Sequence, residues 1–469
     1  MAIRLYARFA LALALPLLGT GLVGQTVAPP APPFKAQRTE EDYSYLKDPD
    51  RRQEDLDVLK YIPLPGGGDS YVSLGGEVRE RFEFFSNGSW GREPKDTNGY
   101  LLQRYMFHAD FHLGSRFRFF GQFKSGLENG RNGGPRPPDA DQADVEQAFL
   151  EALLTGTAKQ GVSLRVGRQE ISFGTSRLVS FREGPNVRQT FDGARLTVLQ
   201  SGWRVDLFAT KPVETNRGAF DDSPDHARSF WGTYAVHKLP LLPKGNIDLY
   251  YFGIDRRLAR FDAGTGREQR HSAGARLWGT TEAWDYNLEP VFQWGRFGAG
   301  DIRAWTVASD TGYHFNSVRF HPRLGLKADA ASGDHTPGDG TLGTFNALFP
   351  KGAYFSEADL LGPYNVMDLH PSMEFHLLKN LSLTVDGDFF WRQSTHDGVY
   401  GIAGNLLQTG RNATARYIGS HTSAQTEWHL NRHWSVTGMY LHFFPGEFLR
   451  QAPPARNVNF VAVWATYKF

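Results

Sequence analysis

Residues 71–124 read YVSLGGEVRERFEFFSNGSWGREPKDTNGYLLQRYMFHADFHLGSRFRFFGQFK, and three segments within them keep a two-residue period. In the first, Val72, Leu74, Val78, Phe82 and Phe84 share one side, while Ser73, Glu77, Arg79, Arg81 and Glu83 share the other. The second sets Leu101, Tyr105, Phe107, Ala109, Phe111 and Leu113 against Arg104, His108, Asp110 and His112. The third sets Phe117, Phe119 and Phe123 against Arg116, Arg118, Gln122 and Lys124. Successive side chains of a strand point to opposite faces, so each segment predicts a strand with one apolar and one charged face. In the first segment only Glu80 sits badly on the apolar side. The connections differ in kind. Gly114 and Ser115 suffice between the second and third segments, whereas Ser86–Gly99 and Asn129–Asp144 are long and rich in Gly, Pro and Asn. Short turns at one end and long loops at the other, joining strands that alternate apolar and polar, are the pattern of a transmembrane antiparallel up-and-down β-barrel, an all-β fold.

Outward from this stretch the alternation recurs. It predicts strands at 144–155, 161–170, 188–199, 202–211, 229–239, 245–255, 268–279, 282–295, 300–313, 317–328, 364–377, 380–393, 415–429, 432–444 and 457–469. With the first three the total is about eighteen, an even number as single-chain bacterial barrels require. In the 161–196 stretch Val162, Leu164 and Val166 alternate with Ser163, Arg165 and Gly167, and Ala194, Leu196 and Val198 alternate with Gly193, Arg195 and Thr197. The last segment, NVNFVAVWATYKF, puts Val461, Val463, Ala465, Tyr467 and Phe469 on one side. A terminal strand ending on Phe resembles the assembly signal of outer-membrane barrels. Trp284, Tyr286, Trp294, Trp434, Tyr440 and Trp464 fall near expected strand ends, where rings prefer the water–lipid boundary; ordinary β-propensity enriches aromatics as well.

The rest of the chain fits export. Arg4 and Arg8 precede the apolar run Phe9–Leu18, with small residues behind it, so residues 1–25 read as a secretory signal peptide. The run is shorter than the ~20 residues that span hydrocarbon as a helix. The 469 residues contain no cysteine and carry a formal net charge of +1. That balance supplies no global field for nucleic acid. An exported chain without disulfides needs another source of rigidity, and a closed sheet is one. Residues 26–68 form a Pro-rich and then charged periplasmic leader with little expected regular structure, which Tyr43, Tyr45, Leu46 and Tyr61 could dock at one rim. Residues 69–469 are left for the barrel.

Five motifs in order carry a more specific resemblance: LGGEVRERFE (74–83), LRVGRQEISFG (164–174), FDGARL (191–196), ASGD (331–334) and FNALFPKGAYF (345–355), preceded by EDYSYLKDP and LKYIPL in the leader. Together they resemble the alginate-export family of outer-membrane proteins. The resemblance implies a monomeric eighteen-stranded barrel in a Gram-negative-type outer membrane. It also implies passage of an anionic, alginate-like uronate polymer or oligomer through an arginine-lined constriction.

If the parities hold, the lumen receives Arg79, Arg81, Arg104, Arg116, Arg118, Lys124, Arg165, Arg195, Arg204, Arg276, Arg303, Arg323 and Arg392. Carboxylates accompany them: Glu77, Glu83, Asp110, Asp206, Asp285, Glu289, Asp368, Glu374, Asp386 and Asp388. Arg168 joins the pore candidates with a difficulty, because strict alternation turns it toward lipid and so requires a bulge or a strand end there. Guanidinium groups replace the hydration of a passing anion with charge-assisted contacts. A unit pair at 4 Å is worth about 4 kcal/mol at an effective dielectric near 20, so interspersed carboxylates must temper a basic ring or a polymer would stick. The competing role for each arginine is to fill a polar interior by pairing with a carboxylate. Arg177, Arg182 and Arg188 make the 161–196 loop a candidate cationic lip or infolded constriction, and loops 129–144, 172–187, 212–228, 329–362 and 394–414 are expected to shape or gate the mouth.

Enzyme chemistry is not signalled. No GxSxG elbow, HExxH or phosphate loop occurs. Asp386 and Asp388 read as arginine partners rather than a glycosidase couple, and DADQAD (139–144) as at most an adventitious calcium binder. No metal or cofactor is expected. The partners expected are the sugar polymer, outer-membrane lipid and periplasmic export or degradation components, with no nucleic acid. The rival readings are a porin for another small solute and a barrel anchoring an outer-membrane enzyme or adhesin.

Overall fold

In a barrel, each backbone group that faces lipid must be paired within the sheet, and only closure removes the two unpaired edges. The computed structural model describes residues 31–65, 69–411 and 413–469; the expected signal peptide lies outside them. Eighteen long strands form the wall. They are β1 (Tyr71–Phe85), β2 (Tyr100–Leu113), β3 (Phe117–Asn129), β4 (Asp141–Thr157), β5 (Gln160–Gln169), β6 (Phe191–Gln200), β7 (Trp203–Glu214), β8 (Arg228–Leu239) and β9 (Gly245–Phe261). The second half comprises β10 (Gly264–Thr280), β11 (Trp284–Phe297), β12 (Gly300–His314), β13 (Arg323–Ala331), β14 (Val366–Leu378), β15 (Leu381–Arg392), β16 (Tyr417–His429), β17 (Trp434–Pro445) and β18 (Val458–Lys468). Each pairs antiparallel with the next, and β18 returns to β1 through nine register pairs from Glu77↔Lys468 to Phe85↔Phe460. The carbonyl of Phe469 accepts from Gly76 N at 3.0 Å and completes the seam.

Most expected strands recur with shifted ends, and the shifts have causes. The strand expected at 317–328 starts only at Arg323, because residues 315–322 close a turn in which Phe315 N donates to Pro322 O at 2.9 Å and proline has no N–H of its own. β9 and β10 run past the expected boundaries to a tight turn at Asp262–Ala263, since after a bulge beyond Arg256 the ladder resumes with Ala259, Arg260 and Phe261 opposite Gly266, Thr265 and Gly264.

The outward face carries Phe107, Phe117, Phe123, Leu150, Val166, Phe292 and Val463, all exposed. A contiguous exposed apolar belt of this kind is a lipid-facing surface. The leader is more ordered than expected. Three short 3-10 helices at Arg38–Glu40, Ser44–Lys47 and Pro49–Arg51, with one helical turn at Asp57–Lys60, pack Tyr43, Leu46 and Tyr61 against Tyr71. Arg38 fixes the leader to the seam, its guanidinium donating to the carbonyls of Gly76 and Phe469, both at 2.8 Å. Lys60 Nζ donates to Leu74 O at 2.7 Å.

Candidate conducting passage

Two loops from the long-loop end turn into the barrel and divide its interior. In the 170–190 loop, Asn186 Nδ2 donates to the carbonyls of Gln103, Leu127 and Asp139 at 3.0, 3.2 and 2.9 Å. Arg79 donates to the carbonyls of Glu183 and Pro185 at 3.1 and 2.9 Å, and Arg104 to Glu183 O and Glu77 Oε1, both at 2.9 Å. The 332–365 loop runs beside it: Phe349 N donates to Leu178 O and Lys351 N to Ser176 O, each at 2.9 Å. Arg81 holds this second loop through Glu357 at 2.8 Å, and Arg177 holds it through Tyr354 Oη at 3.0 Å.

Where these loops meet the wall, the interior is apolar. Ile171, Phe173, Val179, Phe345 and Phe349 pack on Phe191, Phe208, Phe230 and Phe252, which point inward from β6 to β9. A uniformly polar lumen is therefore not what this barrel has on that side. On the opposite side a space of about 440 Å³ remains between the loops and β1, β16, β17 and β18. Arg79, Arg81, Lys351 and Lys468 border it, with Glu183, Glu357 and Glu427, the hydroxyls of Ser176, Ser180, Thr437 and Thr466, Gln425 and the Trp464 ring.

Toward the short-turn end the inward face becomes a ladder of alternating charge. Arg118 pairs with Asp110 at 2.7 Å, Arg165 with Glu151 at 2.7 Å, and Arg195 and Arg204 with Asp206 at 2.9 and 2.8 Å. Arg165 and Arg195 are direct cross-strand neighbours, so two guanidinium groups share one level of the wall.

The remaining candidates divide. Glu77, Arg79, Arg81 and Arg104 are inward and almost fully buried. Lys124 is enclosed by Asp141 and Asp222 at 2.9 and 2.8 Å. Arg276 pairs with Asp248 at 2.7 Å, and Arg323 with Asp285 at 2.8 Å. Four arginines are not lumen-lining. Arg116 sits in the tight turn before β3 and is exposed there. Arg168 lies on the outward parity with Val166 as the penultimate residue of β5, held by Asp192 at 2.9 Å, so the strand-end explanation is the correct one. Arg303 is exposed on the outward side of β12 with Trp305 and Val307, because Ile302, Ala304 and Ala308 turn inward onto the apolar core. Arg392 points inward but is wholly buried, with its five nitrogen–hydrogen donors spent on the carbonyls of Thr395, Asp397, Ala413 and Ala415. Asp386 and Asp388 partner His370 and His421 instead of arginine. Trp464 is not a boundary residue either; it faces inward, 4.5 Å below the Arg81 guanidinium.

Glu183, Lys351 and Glu357 had no periodic signal to reveal them, since each acts from a loop. Burial and the nearby Lys327 and Arg177 cations bring the Lys351 ammonium down to about 8. Burial and Glu357 push the Asp359 carboxyl up to about 7. The Arg104 and Arg188 guanidinium groups outweigh the burial of Glu183 and hold its carboxyl below the usual range.

The closed barrel is shared with solved outer-membrane proteins of Pseudomonas aeruginosa. OccK11 (OpdR) is 15% identical and superposes with a TM-score of 0.54 over 86% of this chain and 96% of that one. The outer membrane protein OpdK is 11% identical, with a TM-score of 0.58 over 85% and 98%. OccD3 (OpdP) is 12% identical, with a TM-score of 0.57 over 87% and 92%. No curated protein sequence matches the chain. An eighteen-strand barrel with a lipid-facing belt has the fold of outer-membrane porins. Within that class the chain belongs to the alginate-export family, whose model matches residues 70–463.

Proposed function

We propose that this channel passes an anionic sugar polymer or oligomer of the uronate class, passively, through the space between the infolded loops and the β1/β16–β18 wall. The observation that carries the reading is the lining of that space. Arg79, Arg81, Lys351 and Lys468 supply cationic contacts, and hydroxyls, an amide and an indole ring supply the mixed polar and apolar surface that a sugar presents in return. Glu183, Glu357 and Glu427 in the same lining temper the attraction so that bound anion is released. Further along, the Arg118, Arg165, Arg195 and Arg204 ladder offers a second cationic stage. The chain acts as a conduit without a catalytic centre of its own.

Planar-bilayer currents across a salt gradient test this. Reversal potentials should favour chloride, and uronate oligomers should block the current at concentrations where neutral oligosaccharides do not. Cation selectivity without uronate block would overturn the proposal. A small organic carboxylate is the second reading, favoured by the narrowness of a space of about 440 Å³; block by short carboxylates but not by uronate oligomers would select it.

A further inference from the structure

A polar cluster in the wall is unused by the passage. Asp388 on β15 is the direct cross-strand neighbour of His421 on β16, and His370 approaches from β14 on the other side. His370 Nδ1 lies 3.1 Å from Asp388 Oδ2, and one nitrogen or oxygen from each of the three side chains falls within 4.8 Å of the others. The two imidazole rings are 5.9 Å apart at an interplanar angle of 81°, so they converge from different directions. Asp388 has no exposed surface; its Oδ1 has no hydrogen-bond partner, and its Oδ2 has only the His370 Nδ1 contact. Asp368 Oδ1, on the same side, is also buried without a hydrogen-bond partner. Burying a carboxylate without compensation is costly. The nearby Arg177 is already committed to Asp329 and Tyr354.

Asp386 completes the arrangement from the other side. Its Oδ1 stands 3.3 Å from Nε2 of His370 and 3.3 Å from Nε2 of His421, while its Oδ2 accepts from Ser423 Oγ at 2.6 Å. A carboxylate that holds the far nitrogens of two histidines fixes their tautomers and leaves the other nitrogens as lone-pair donors. Among the described residues a second such group, Asp141, Asp144 and Asp222, lacks this logic, because Lys124 Nζ already sits 2.9 Å from Asp141 and 2.8 Å from Asp222.

We propose that His370, Asp388 and His421 form a binding site for one borderline divalent transition-metal ion, of which Zn²⁺ is the reference, with Asp386 orienting the histidines. Two imidazoles and a carboxylate are the donor set such ions select over Mg²⁺ or Ca²⁺, which prefer oxygen alone. The bound ion joins three adjacent strands and neutralises Asp388. It also lies behind the Phe390 ring, 5.6 Å from that of His421, against which Phe355 of the 332–365 loop rests at 5.1 Å. The wall that seats the infolded loop is thereby stiffened.

The test uses the full-length folded barrel in detergent, stripped with a chelator and titrated with ZnCl₂ by calorimetry and with CoCl₂ by visible absorption. The expected result is one Zn²⁺ per chain with a dissociation constant in the micromolar range or tighter, and visible Co²⁺ bands of four-coordinate intensity. His421→Gln and Asp388→Asn should abolish both signals. Asp386→Asn should weaken Zn²⁺ binding by about 10- to 100-fold, and His429→Gln, at an exposed position, should change nothing. Heat-dependent gel mobility establishes which variants fold; where Asp388→Asn does not, the wild-type Co²⁺ spectrum and His421→Gln decide. No Zn²⁺ binding by the wild type, octahedral-intensity Co²⁺ bands only, or undiminished binding in His421→Gln would each overturn the proposal.

Discussion

Arg165 and Arg195 face each other across β5 and β6, a juxtaposition that two like charges disfavour unless something negative stands near. Glu151 and Asp206 stand on the two outer flanks, which leaves the level between the guanidinium groups as the place where an anion gains most. Replacing both with alanine should reduce the preference for chloride in reversal-potential measurements. Some loss of stability should accompany it, because the two arginine side chains keep only 14% and 12% of their surface exposed, but Asp206 retains Arg204 as a partner. A large loss of folding stability would assign them to filling instead. Arg392 is the opposite case. Its fully buried guanidinium satisfies four loop carbonyls, so Arg392→Ala leaves buried acceptors unpaired and should cost about 3 kcal/mol, seen as an earlier urea midpoint, with ion preference unchanged in the folded fraction. The same residue type at the same parity thus serves two ends, and solvation separates them.

At the scale of elements, the strands were legible because each has one side facing lipid, and that demand prints a two-residue period into the sequence. On β1 to β3 the outward turn of Phe82, Phe107, Phe117 and Phe123 fits that period, and Phe107 and Phe123 are direct cross-strand partners. The period loses its meaning wherever the inner side is also apolar. On β12 the inward Ile302, Ala304 and Ala308 are as apolar as the outward Trp305 and Val307, because the 332–365 loop supplies Leu342 and Phe345 as an internal core, and Arg303 was misplaced for that reason. The loops themselves were recognisable by length and by Arg177, Arg182 and Arg188, but their contacts were not. Asn186 binds three carbonyls and Lys351 binds through its backbone, and neither kind of contact leaves a pattern in side-chain type. The 332–365 loop narrows the passage while Arg81 and Glu357 hold it in place. Excising residues 343–361 should therefore raise single-channel conductance severalfold, and Glu357→Gln should give a smaller rise with more frequent open-channel fluctuations. Conductance unchanged by the excision would place the rate-limiting constriction elsewhere.

For the molecule as a whole, the net charge of +1 means that selectivity depends on a few groups near the passage rather than on a global field, and such groups can be titrated. Lys351 borders the passage with an ammonium held down to about 8, against an ordinary value of 10.5. Between those two values the folded chain has released a proton that the unfolded chain still binds, so this group makes folding stability rise, not fall, as pH increases through that window. The charge it presents to a passing anion does the reverse and disappears as pH rises through about 8. Chloride preference should accordingly decline between pH 7 and pH 9 while the barrel's unfolding midpoint does not decrease. On the acid side Asp359, pushed up to about 7, becomes neutral as pH falls below that value and should strengthen the preference. Lys351→Met separates the two: its reversal potential should start lower at pH 7 and stay flat between pH 8 and pH 9, where Asp359 is already ionised, while the rise on acidification through pH 7 persists. A Lys351→Met channel that kept the wild-type slope above pH 7 would show that a titrating group other than Lys351 sets it.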